Sequence, residues 1–458
     1  MSKKSIIKGT LILTATGLCT KLLGFYYRIF LTRLIGVQEL GIYQLVFPIY
    51  ILMFSFVSQG FCQALTKHVS HYLGNKKQAC IKHVFHFALS LSLFLSILVA
   101  VLVYINSKNI ACFVLKNSQC ASLIRLLCIA IPFVALKAMI NAYFMGNEQP
   151  KYQGVTQLFE QIIRIFSAYI LSTVCFIGQR NSKLAVIAVV IGELGATLLS
   201  VFFYYYVSKN TGNDNSKKNL TSADCTVSMN KIHTSYIKDA LPMTTNNLIF
   251  SIFASFEAIL MPTMLFYFYH DKTLTMELFG IVNGIVLPFI LFPATITTSL
   301  SSMLLPTVSY ASAEHNYKKI KKTLMGSVFF CLTLGMFAWF IYRILGVFIC
   351  NFAFHNKDAG LLLANMSFLC PCIYLSGTLS AILNGMSMAL SNLVYNLIGI
   401  SIRIACSIFF VPSYGIKAYV FSLACSYLVI DILQYITINK TNQHHFTADT
   451  VLPDKHNN

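Results

Sequence analysis

Twelve long apolar segments are the feature that most constrains what this chain can fold into. They cover roughly residues 5–35, 42–70, 83–106, 120–146, 155–178, 183–207, 236–269, 277–311, 321–350, 359–389, 393–412 and 414–438. A helix crosses a bilayer with about 20 apolar residues, and it satisfies its own backbone hydrogen bonds in lipid. The pattern therefore predicts an all-α polytopic membrane protein with about twelve transmembrane helices.

The composition argues against a soluble enzyme. Of the 458 residues, 56% are hydrophobic and only 11% are charged, whereas soluble proteins have about 25% charged residues. The sequence contains no phosphate-cradling GxxxxGK[ST], no GxGxxG, no HExxH and no GxSxG. We therefore predict a protein that is not an enzyme and needs no cofactor. The fourteen cysteines lie mostly in apolar runs and resemble small hydrophobic residues, so we predict no metal site.

The positive charge predicts the orientation of the chain. The formal net charge is +19. If the N-terminus is cytoplasmic, the loops on that side hold nineteen lysines, and the opposite loops hold eight lysines and arginines. Cytoplasmic loops collect such residues. We therefore predict a multi-pass protein of the cytoplasmic membrane with both termini inside. No basic patch on a soluble surface is visible, so a nucleic-acid partner is not expected.

The chain matches itself at an offset of 239 residues. The matched pairs include Gly41-Ile42 with Gly280-Ile281, Val69-Ser70 with Val308-Ser309, Gly146 with Gly385, and Ile163-Arg164-Ile165 with Ile402-Arg403-Ile404. An even number of helices per repeat predicts two six-helix lobes of the same orientation, at 1–207 and 236–438. Residues 208–235 are then a cytoplasmic linker, and 439–458 a polar cytoplasmic tail. Parallel repeats are typical of transporters that work by alternating access around a substrate between the lobes.

Eleven lysine, arginine, aspartate and glutamate residues lie inside the apolar segments, away from the ends of those segments. Each costs ~3 kcal/mol near the centre of a bilayer helix, so those far from the helix ends are expected to face protein or a water-filled cavity. Seven of them are basic and four are acidic, which favours an anionic ligand. They are Lys21, Arg28, Arg125, Lys137, Glu160, Arg164, Glu193, Glu257, Arg343, Arg403 and Asp431.

The basic members of this set include the candidate substrate-binding residues. Lys21 and Arg28 are seven residues apart and share a helix face, which suits a pyrophosphate; interfacial snorkelling or pairing with an acid is the alternative. Arg164 stands four residues after Glu160, the spacing of an intrahelical ion pair, and pairing is the favoured interpretation. Its repeat mate Arg403 has Gly399 in place of the acid and is the better ligand candidate. Arg164 remains a further candidate.

Three of the acids are candidate sites for a coupling proton or sodium ion, namely Glu193, Glu257 and Asp431. Each is equally well explained as the counter-ion of a nearby lysine or arginine. The sequence leaves both interpretations open.

Residues 8–50, KGTLILTATGLCTKLLGFYYRIFLTRLIGVQELGIYQLVFPIY, resemble the start of the stage V sporulation protein B family. The resemblance rests on the run from Lys21 to Arg28, on Gly41-Ile42-Tyr43-Gln44 and on Pro48. That family belongs to the multidrug/oligosaccharidyl-lipid/polysaccharide (MOP) superfamily, so the resemblance implies a MATE-like fold and a flippase for lipid-linked cell-wall precursors. Lys21 fits the position of a cation that lines the central cavity in the related lipid II flippases.

We therefore expect a transporter that flips an anionic lipid-linked saccharide, such as a lipid II-like precursor, by alternating access. Its expected partners are this substrate and the bilayer, with cell-wall synthesis enzymes as further candidates. A cation-coupled multidrug exporter of the same superfamily is the first alternative. A polytopic membrane enzyme or an assembly scaffold of the cell envelope is the second.

Overall fold

The computed structural model describes residues 3–75, 77–174, 181–215, 229–314 and 316–451. Nearly all of these residues are helical, and none of them forms a strand. Residues 216–228 of the predicted linker and 452–458 of the predicted tail lie outside the described residues. The prediction of an all-α fold is confirmed.

Contacts divide the chain into two compact units, Met1–Ile259 and Leu260–Asn458. The first unit contains helices α1 (Lys3–Phe54), α2 (Gly60–Gly74), α3 (Gln78–Ile105), α4 (Cys120–Gly146), α5 (Pro150–Val174), α6 (Ser182–Asn215) and most of α7 (Met229–Tyr269). Helix α7 ends beyond the boundary of this unit. The labelled helices of the second unit are α8 (Lys272–Gly280), α9 (Leu287–Leu291), α10 (Ala294–Ala313), α11 (Tyr317–Phe354), α12 (Lys357–Met366), α13 (Cys370–Gly385), α14 (Ala389–Phe409) and α15 (Ile416–Val451). The predicted lobe boundaries stay predictions.

Ten stretches of the described helices are long and apolar enough to cross a membrane. The first, Ala15–Gly74, has 60 residues, about three times the minimum for one crossing, and counts as two. Helix α5 carries Lys151, Glu160 and Arg164 and is not among the ten, but its 25 residues are enough to span. The structure thus contains about twelve crossings, as predicted.

The first two predicted helices are joined through a kink at Gly36 rather than through a loop. Gly36 has φ 82° and ψ 169°, a backbone region that only glycine adopts readily. Helical geometry continues on both sides of it. The side chain of Glu39, just beyond the kink, accepts a hydrogen bond from the backbone N–H of Ser182 at 2.8 Å. This contact fixes the start of α6 beside the kink.

The predicted helix at 277–311 is interrupted instead of continuous. It begins within α8, passes through a π-helical turn at Ile281–Val286 and continues as α9 and α10. Proline has no backbone N–H and clashes with the preceding turn, so Pro288 and Pro293 break the regular ladder in this stretch. Wide turns of this kind are frequent at functional sites.

The structure confirms the internal repeat, because both units build the same helix crossing. In the first unit, the Ser70 hydroxyl donates a hydrogen bond to the Gly146 carbonyl at 3.1 Å. In the second, the Ser309 hydroxyl donates to the Gly385 carbonyl at 2.9 Å. Both residues of each bond are related by the offset of 239, so the shared serines and glycines reflect a shared geometry.

Backbone turns repeat at the same offset. Glu148 and Ser387 follow this helix crossing in their units, with φ of 60° and 63°. Lys116 and His355 also form an offset pair, with φ of 51° and 53°. Residues other than glycine rarely adopt positive φ. Two such pairs occur at the same offset. A chance match between apolar segments therefore does not explain the internal repeat.

Candidate functional site

Four charged side chains meet inside the first unit and form what we call the buried charge cluster: Lys137 on α4, Glu160 and Arg164 on α5, and Glu193 on α6. The Lys137 Nζ donates to Glu160 Oε2 at 2.6 Å and also to Glu193 Oε2. The Arg164 Nη2 donates to Glu160 Oε1 at 2.5 Å and lies 3.6 Å from Glu193 Oε1. Side-chain exposure ranges only from 6% to 15%. The two positive and two negative charges cancel, which lowers the free-energy cost of burying these side chains.

Close helix packing places Glu193 in this cluster. A Cβ atom on Gly192 would lie 3.2 Å from Arg164 Cβ, and one on Gly195 would lie 2.3 Å from Ile163 Cδ1. The two glycines therefore let α6 approach α5 closely on either side of Glu193. The Tyr50 hydroxyl on α1 completes the arrangement by donating to Glu193 Oε1 at 3.1 Å. Both carboxylate oxygens of Glu193 are thereby engaged.

Helix α1 runs alongside α5 next to the cluster. A Cβ on Gly154 would lie 2.5 Å from the Thr16 hydroxyl oxygen, and one on Gly24 would lie 3.8 Å from Gln161 Oε1. Further along the same pair of helices, Arg28 lies close enough to Arg164 for their charges to interact. The face of α1 that carries Gly24 and Arg28 thus borders α5 at the level of the cluster. Lys21, two turns before Arg28, is exposed.

The second unit has a buried acid in a different setting. Asp431 on α15 is 6% exposed, and its Oδ1 atom has no hydrogen-bond partner among the described residues. The thiols of Cys331 on α11 and Cys372 on α13 lie close enough to the Asp431 carboxyl group for an electrostatic interaction. No ion pair in the described part of the chain includes this carboxylate. Asp431 is therefore a buried acid without an ion-pair partner among the described residues.

A line of amide side chains leads from the neighbourhood of Asp431 to the surface. Gln434, one turn after Asp431, is fully buried, and its Nε2 donates to Ser380 Oγ and to Asn392 Oδ1, both at 2.9 Å. The Asn392 Nδ2 in turn donates to Asn384 Oδ1 at 3.2 Å, and Asn384 is exposed. Polar groups thus connect the interior of α15 to the end of α13.

Packing also explains why Arg403 lacks the acid that accompanies Arg164. Gly399 occupies the position equivalent to Glu160, and a Cβ there would lie 2.3 Å from Ile430 Cδ1. Because α14 and α15 touch at this point, a larger side chain at position 399 would displace the Ile430 side chain. The Arg403 guanidinium lies instead 5.7 Å from the ring centre of Tyr427, a cation–π distance.

The comparison with known protein families agrees with this architecture. The family described as "Polysaccharide biosynthesis protein" matches residues 6–266, more than half of the chain. The chain belongs to this family. Stage V sporulation protein B of Bacillus subtilis (strain 168) is 21% identical over 444 residues, which cover 96% of this chain and 85% of the relative. Lipid II flippase MurJ of the same organism is 22% identical over 339 residues, covering 71% of this chain and 61% of MurJ.

Solved structures of the MOP superfamily share the fold of this family member. An inward-facing multidrug resistance transporter of the MATE family aligns with a TM-score of 0.72 and 13% identity, covering 93% of this chain and 96% of that one. A MOP superfamily transporter from Pyrococcus furiosus, described as having a binding pocket of reverse polarity, aligns with a TM-score of 0.65 and 14% identity. It covers 95% of this chain and 96% of that chain. The predicted resemblance and the MATE-like fold are both confirmed.

In this family member, the structure brings only some of the sequence-predicted site residues together. The Glu160–Arg164 ion pair is confirmed, and Glu193 serves as a counter-ion, the alternative stated for it. Arg28 lies beside this group. Glu257 is buried on α7 at 7% exposure. The assignments of Lys21, Arg28, Arg164 and Arg403 to substrate, and of Glu193, Glu257 and Asp431 to a coupling ion, stay predictions.

Sequence reasoning missed the partners of Lys137 and the role of Tyr50. A signal for the first was present. Helices α4 and α5 form an antiparallel pair around the turn at Glu148, and Lys137 and Glu160 stand almost equally far from that turn along the chain. They therefore lie at the same depth, so the hairpin alone predicts that they meet. No comparable pattern predicts Tyr50, which is 143 residues from Glu193.

Proposed function

We propose that this chain is a flippase that moves an anionic lipid-linked saccharide, such as a lipid II-like cell-wall or spore-wall precursor, across the cytoplasmic membrane by alternating access. The proposal is supported by membership of the polysaccharide biosynthesis family and by similarity to a protein named as a lipid II flippase. The observation that carries it is the charge balance. Four of the eleven intramembrane ionisable residues neutralise one another in the buried charge cluster. Of the seven that remain, five are basic.

Lys21, Arg28 and Arg403 are the proposed ligands of the pyrophosphate. Arg164 is held by Glu160 and Glu193, so we assign it the role of a positioning residue rather than a direct ligand. The head group passes through the protein while the lipid tail stays in the bilayer. If the inside is negative, outward movement of a dianion is favoured by about 4–5 kcal/mol per 100 mV. The proposed cycle therefore needs no nucleotide, and both termini are cytoplasmic in it.

Asp431 is the proposed coupling site among the three candidate acids. A buried ionised carboxylate is unfavourable unless it is hydrogen-bonded, and Asp431 Oδ1 has no partner among the described residues, so we propose that this group binds the coupling proton. Glu193 is already neutralised by Lys137, which makes it a poor carrier. The amide line through Gln434, Asn392 and Asn384 supplies a polar route for exchange with one end of the lobe.

The second candidate function is a cation-coupled exporter, and Asp431 is the observation that favours it. An exporter of cationic compounds binds its ligand with acids, and Asp431 and Glu257 are the two acids among the eleven residues named above that lie outside the charge cluster. Expression of the chain in a drug-sensitive host tests this function. Lowered drug susceptibility that disappears in Asp431→Asn would support export, and it would contradict the flippase if the same chain moved no lipid-linked precursor in vesicles.

Reconstitution in vesicles with a fluorescent lipid-linked precursor tests the flippase. We expect transfer between leaflets that accelerates with an inside-negative potential and falls at least tenfold in the variant Lys21→Gln with Arg28→Gln. Lys108→Gln is the matched control, because Lys108 is an exposed lysine at the end of α3 and belongs to no proposed site. If the double variant transferred the precursor as fast as the wild-type chain, the two cations of α1 would not be substrate ligands. Absence of transfer by the wild-type chain would refute the flippase.

A further inference from the structure

A cavity of about 200 Å³ lies at one end of the first unit, away from the buried charge cluster. The end of α2, the start of α3, the end of α4 and the turn after it, and the outer part of α6 surround it. Its lining is Leu73, Gln78, Ile81, Lys82, Tyr143, Asn147, Gln149, Tyr204, Val207 and Ser208. These helix ends lie on the side that the lysine count predicts to be cytoplasmic. Drug-sized ligands occupy about 300–1,000 Å³, so this cavity suits a smaller group.

The chemistry of the lining favours an anion. Lys82, an exposed lysine, contributes a positive charge, and three amide side chains, Gln78, Asn147 and Gln149, also line the cavity. One amide hydrogen of Asn147 is donated to the Tyr143 carbonyl at 3.1 Å, which leaves the other for a ligand. The lining residues that the structure describes include no aspartate or glutamate, and the nearest acid in sequence, Glu148, is exposed and not among them. A cation with convergent neutral donors is the usual composition of a site for phosphate.

Aromatic side chains form part of the cavity wall. The rings of Tyr143 and Tyr204 lie 5.5 Å apart between their centres, and both contact Phe85, at 4.8 Å and 5.0 Å. Lys151, in the first turn of α5, lies 4.8 Å from the ring centre of Tyr152. Tyrosine and lysine side chains of this kind concentrate at the level of lipid head groups. The cavity therefore has the composition of a membrane interface.

The internal repeat supplies a comparison within the same molecule. At an offset of 239, the positions of Tyr143, Asn147 and Gln149 are occupied by Ile382, Met386 and Met388. In the second unit, Ile382 and Met386 are buried in a hydrophobic core cluster against which Met388 packs. The backbone turn is shared, and Lys321 occupies the position of Lys82, but the second unit has apolar side chains at the three positions just named. The polar lining is therefore a feature of one lobe and not a requirement of the fold.

We propose that this cavity binds the phosphate of an anionic phospholipid in the adjoining leaflet, with Lys82 as the charge partner and Asn147 and Gln149 as neutral donors. Basic pockets between transmembrane helices bind anionic head groups in this way. The site is separate from the proposed substrate residues Lys21, Arg28 and Arg403, so it stands independently of the flippase proposal. Its expected effect is to hold the ends of α2, α3, α4 and α6 together when the lipid is present.

Lipid titration of the purified full chain in detergent tests the site, with native mass spectrometry and thermal stability as readouts. We expect phosphatidylglycerol to bind and to raise the melting temperature more than phosphatidylcholine does. Lys82→Gln should weaken the binding about tenfold, the loss that follows from one charge-assisted hydrogen bond. Lys108→Gln, which removes an exposed lysine just beyond the other end of α3, should leave binding unchanged.

A second variant carries the residues of the other lobe, Asn147→Met with Gln149→Met. These side chains are already accommodated on the equivalent backbone of the second unit, so the variant should fold and lose lipid-dependent stabilisation. The proposal would be overturned if Lys82→Gln and Lys108→Gln lost lipid binding equally. It would also be overturned if phosphatidylcholine raised the melting temperature as much as phosphatidylglycerol does. Binding of soluble glycerol 3-phosphate as tightly as the lipid would overturn the lipid as the ligand.

Discussion

Lys137 and Glu160 are joined at 2.6 Å between Nζ and Oε2, although 23 residues separate them in the chain. The bond ties α4 to α5 inside the first unit, and the same ammonium group reaches Glu193 on α6. Three consecutive membrane helices are thus held by one cation. This arrangement makes the lobe sensitive to changes of charge at its centre.

Replacement of Lys137 by methionine should destabilise the first unit by about 3–5 kcal/mol, because two buried carboxylates would be left with one arginine. The free energy of unfolding in mixed micelles measures the loss. The double variant Lys137→Met with Glu160→Gln restores neutrality, so it should recover more than half of it. Lys108→Met is the control at an exposed position. If Lys137→Met had the same free energy of unfolding as this control, the cluster would contribute little to stability.

Gly399→Ala should destabilise the second unit by about 1–3 kcal/mol, the usual cost of overpacking, since its Cβ would lie 2.3 Å from Ile430 Cδ1. Gly377 on α13 has no atom within 4 Å of an added Cβ. Gly377→Ala should therefore stabilise by about 0.5–1 kcal/mol. Thermal unfolding of the two variants compares them directly, and equal effects would contradict the close packing of α14 and α15.

Asp431→Asn should leave stability unchanged or raise it, because it removes a buried carboxylate that lacks a partner at Oδ1. The gain should be at most about 1–3 kcal/mol. Asp271 is the contrasting acid of the same unit, because it caps α8 by accepting from the backbone N–H of Thr273 at 2.7 Å. Asp271→Ala should cost about 0.5–2 kcal/mol. Melting temperatures that fall equally in both variants would mean that Asp431 is structurally compensated.

Gly36→Ala should cost about 1–3 kcal/mol, because alanine is strained at φ 82° and ψ 169°. Unlike an overpacked core, this position should not be rescued by making its neighbours smaller. Gly17→Ala is the matched control on the same helix, since nothing lies within 4 Å of its added Cβ. Circular dichroism on heating measures both variants, and a neutral Gly36→Ala would argue against a glycine-dependent kink.

Much of the fold was predictable because lipid restricts a chain to patterns that are visible in its sequence. Apolar length predicted the crossings, and the shared serine and glycine at the offset of 239 predicted equivalent helix packing. The kink at Gly36 was not predictable from hydropathy, since glycine also occurs in straight helices. The interruption at Pro288 and Pro293 was indicated by residue type, but its π-helical turn depends on local packing.

The candidate site was less predictable, because its partners come from distant segments. The spacing of Glu160 and Arg164 predicted their pair, since both are on one helix. The contact between Tyr50 and Glu193 depends on how α1 lies against α6, which no local pattern encodes. The difference between Arg164 and Arg403 was visible as Glu160 against Gly399. Its cause, the contact of Gly399 with Ile430, required coordinates.

The electroneutrality of the buried charge cluster has a consequence for electrical recordings. A set of charges that cancels within one rigid lobe performs no net work when that lobe shifts in the transmembrane field. Lys137, Glu160, Arg164 and Glu193 therefore contribute no gating charge as a group. Transient currents from the reconstituted protein would then report the valence of the transported molecule together with the charges outside this group.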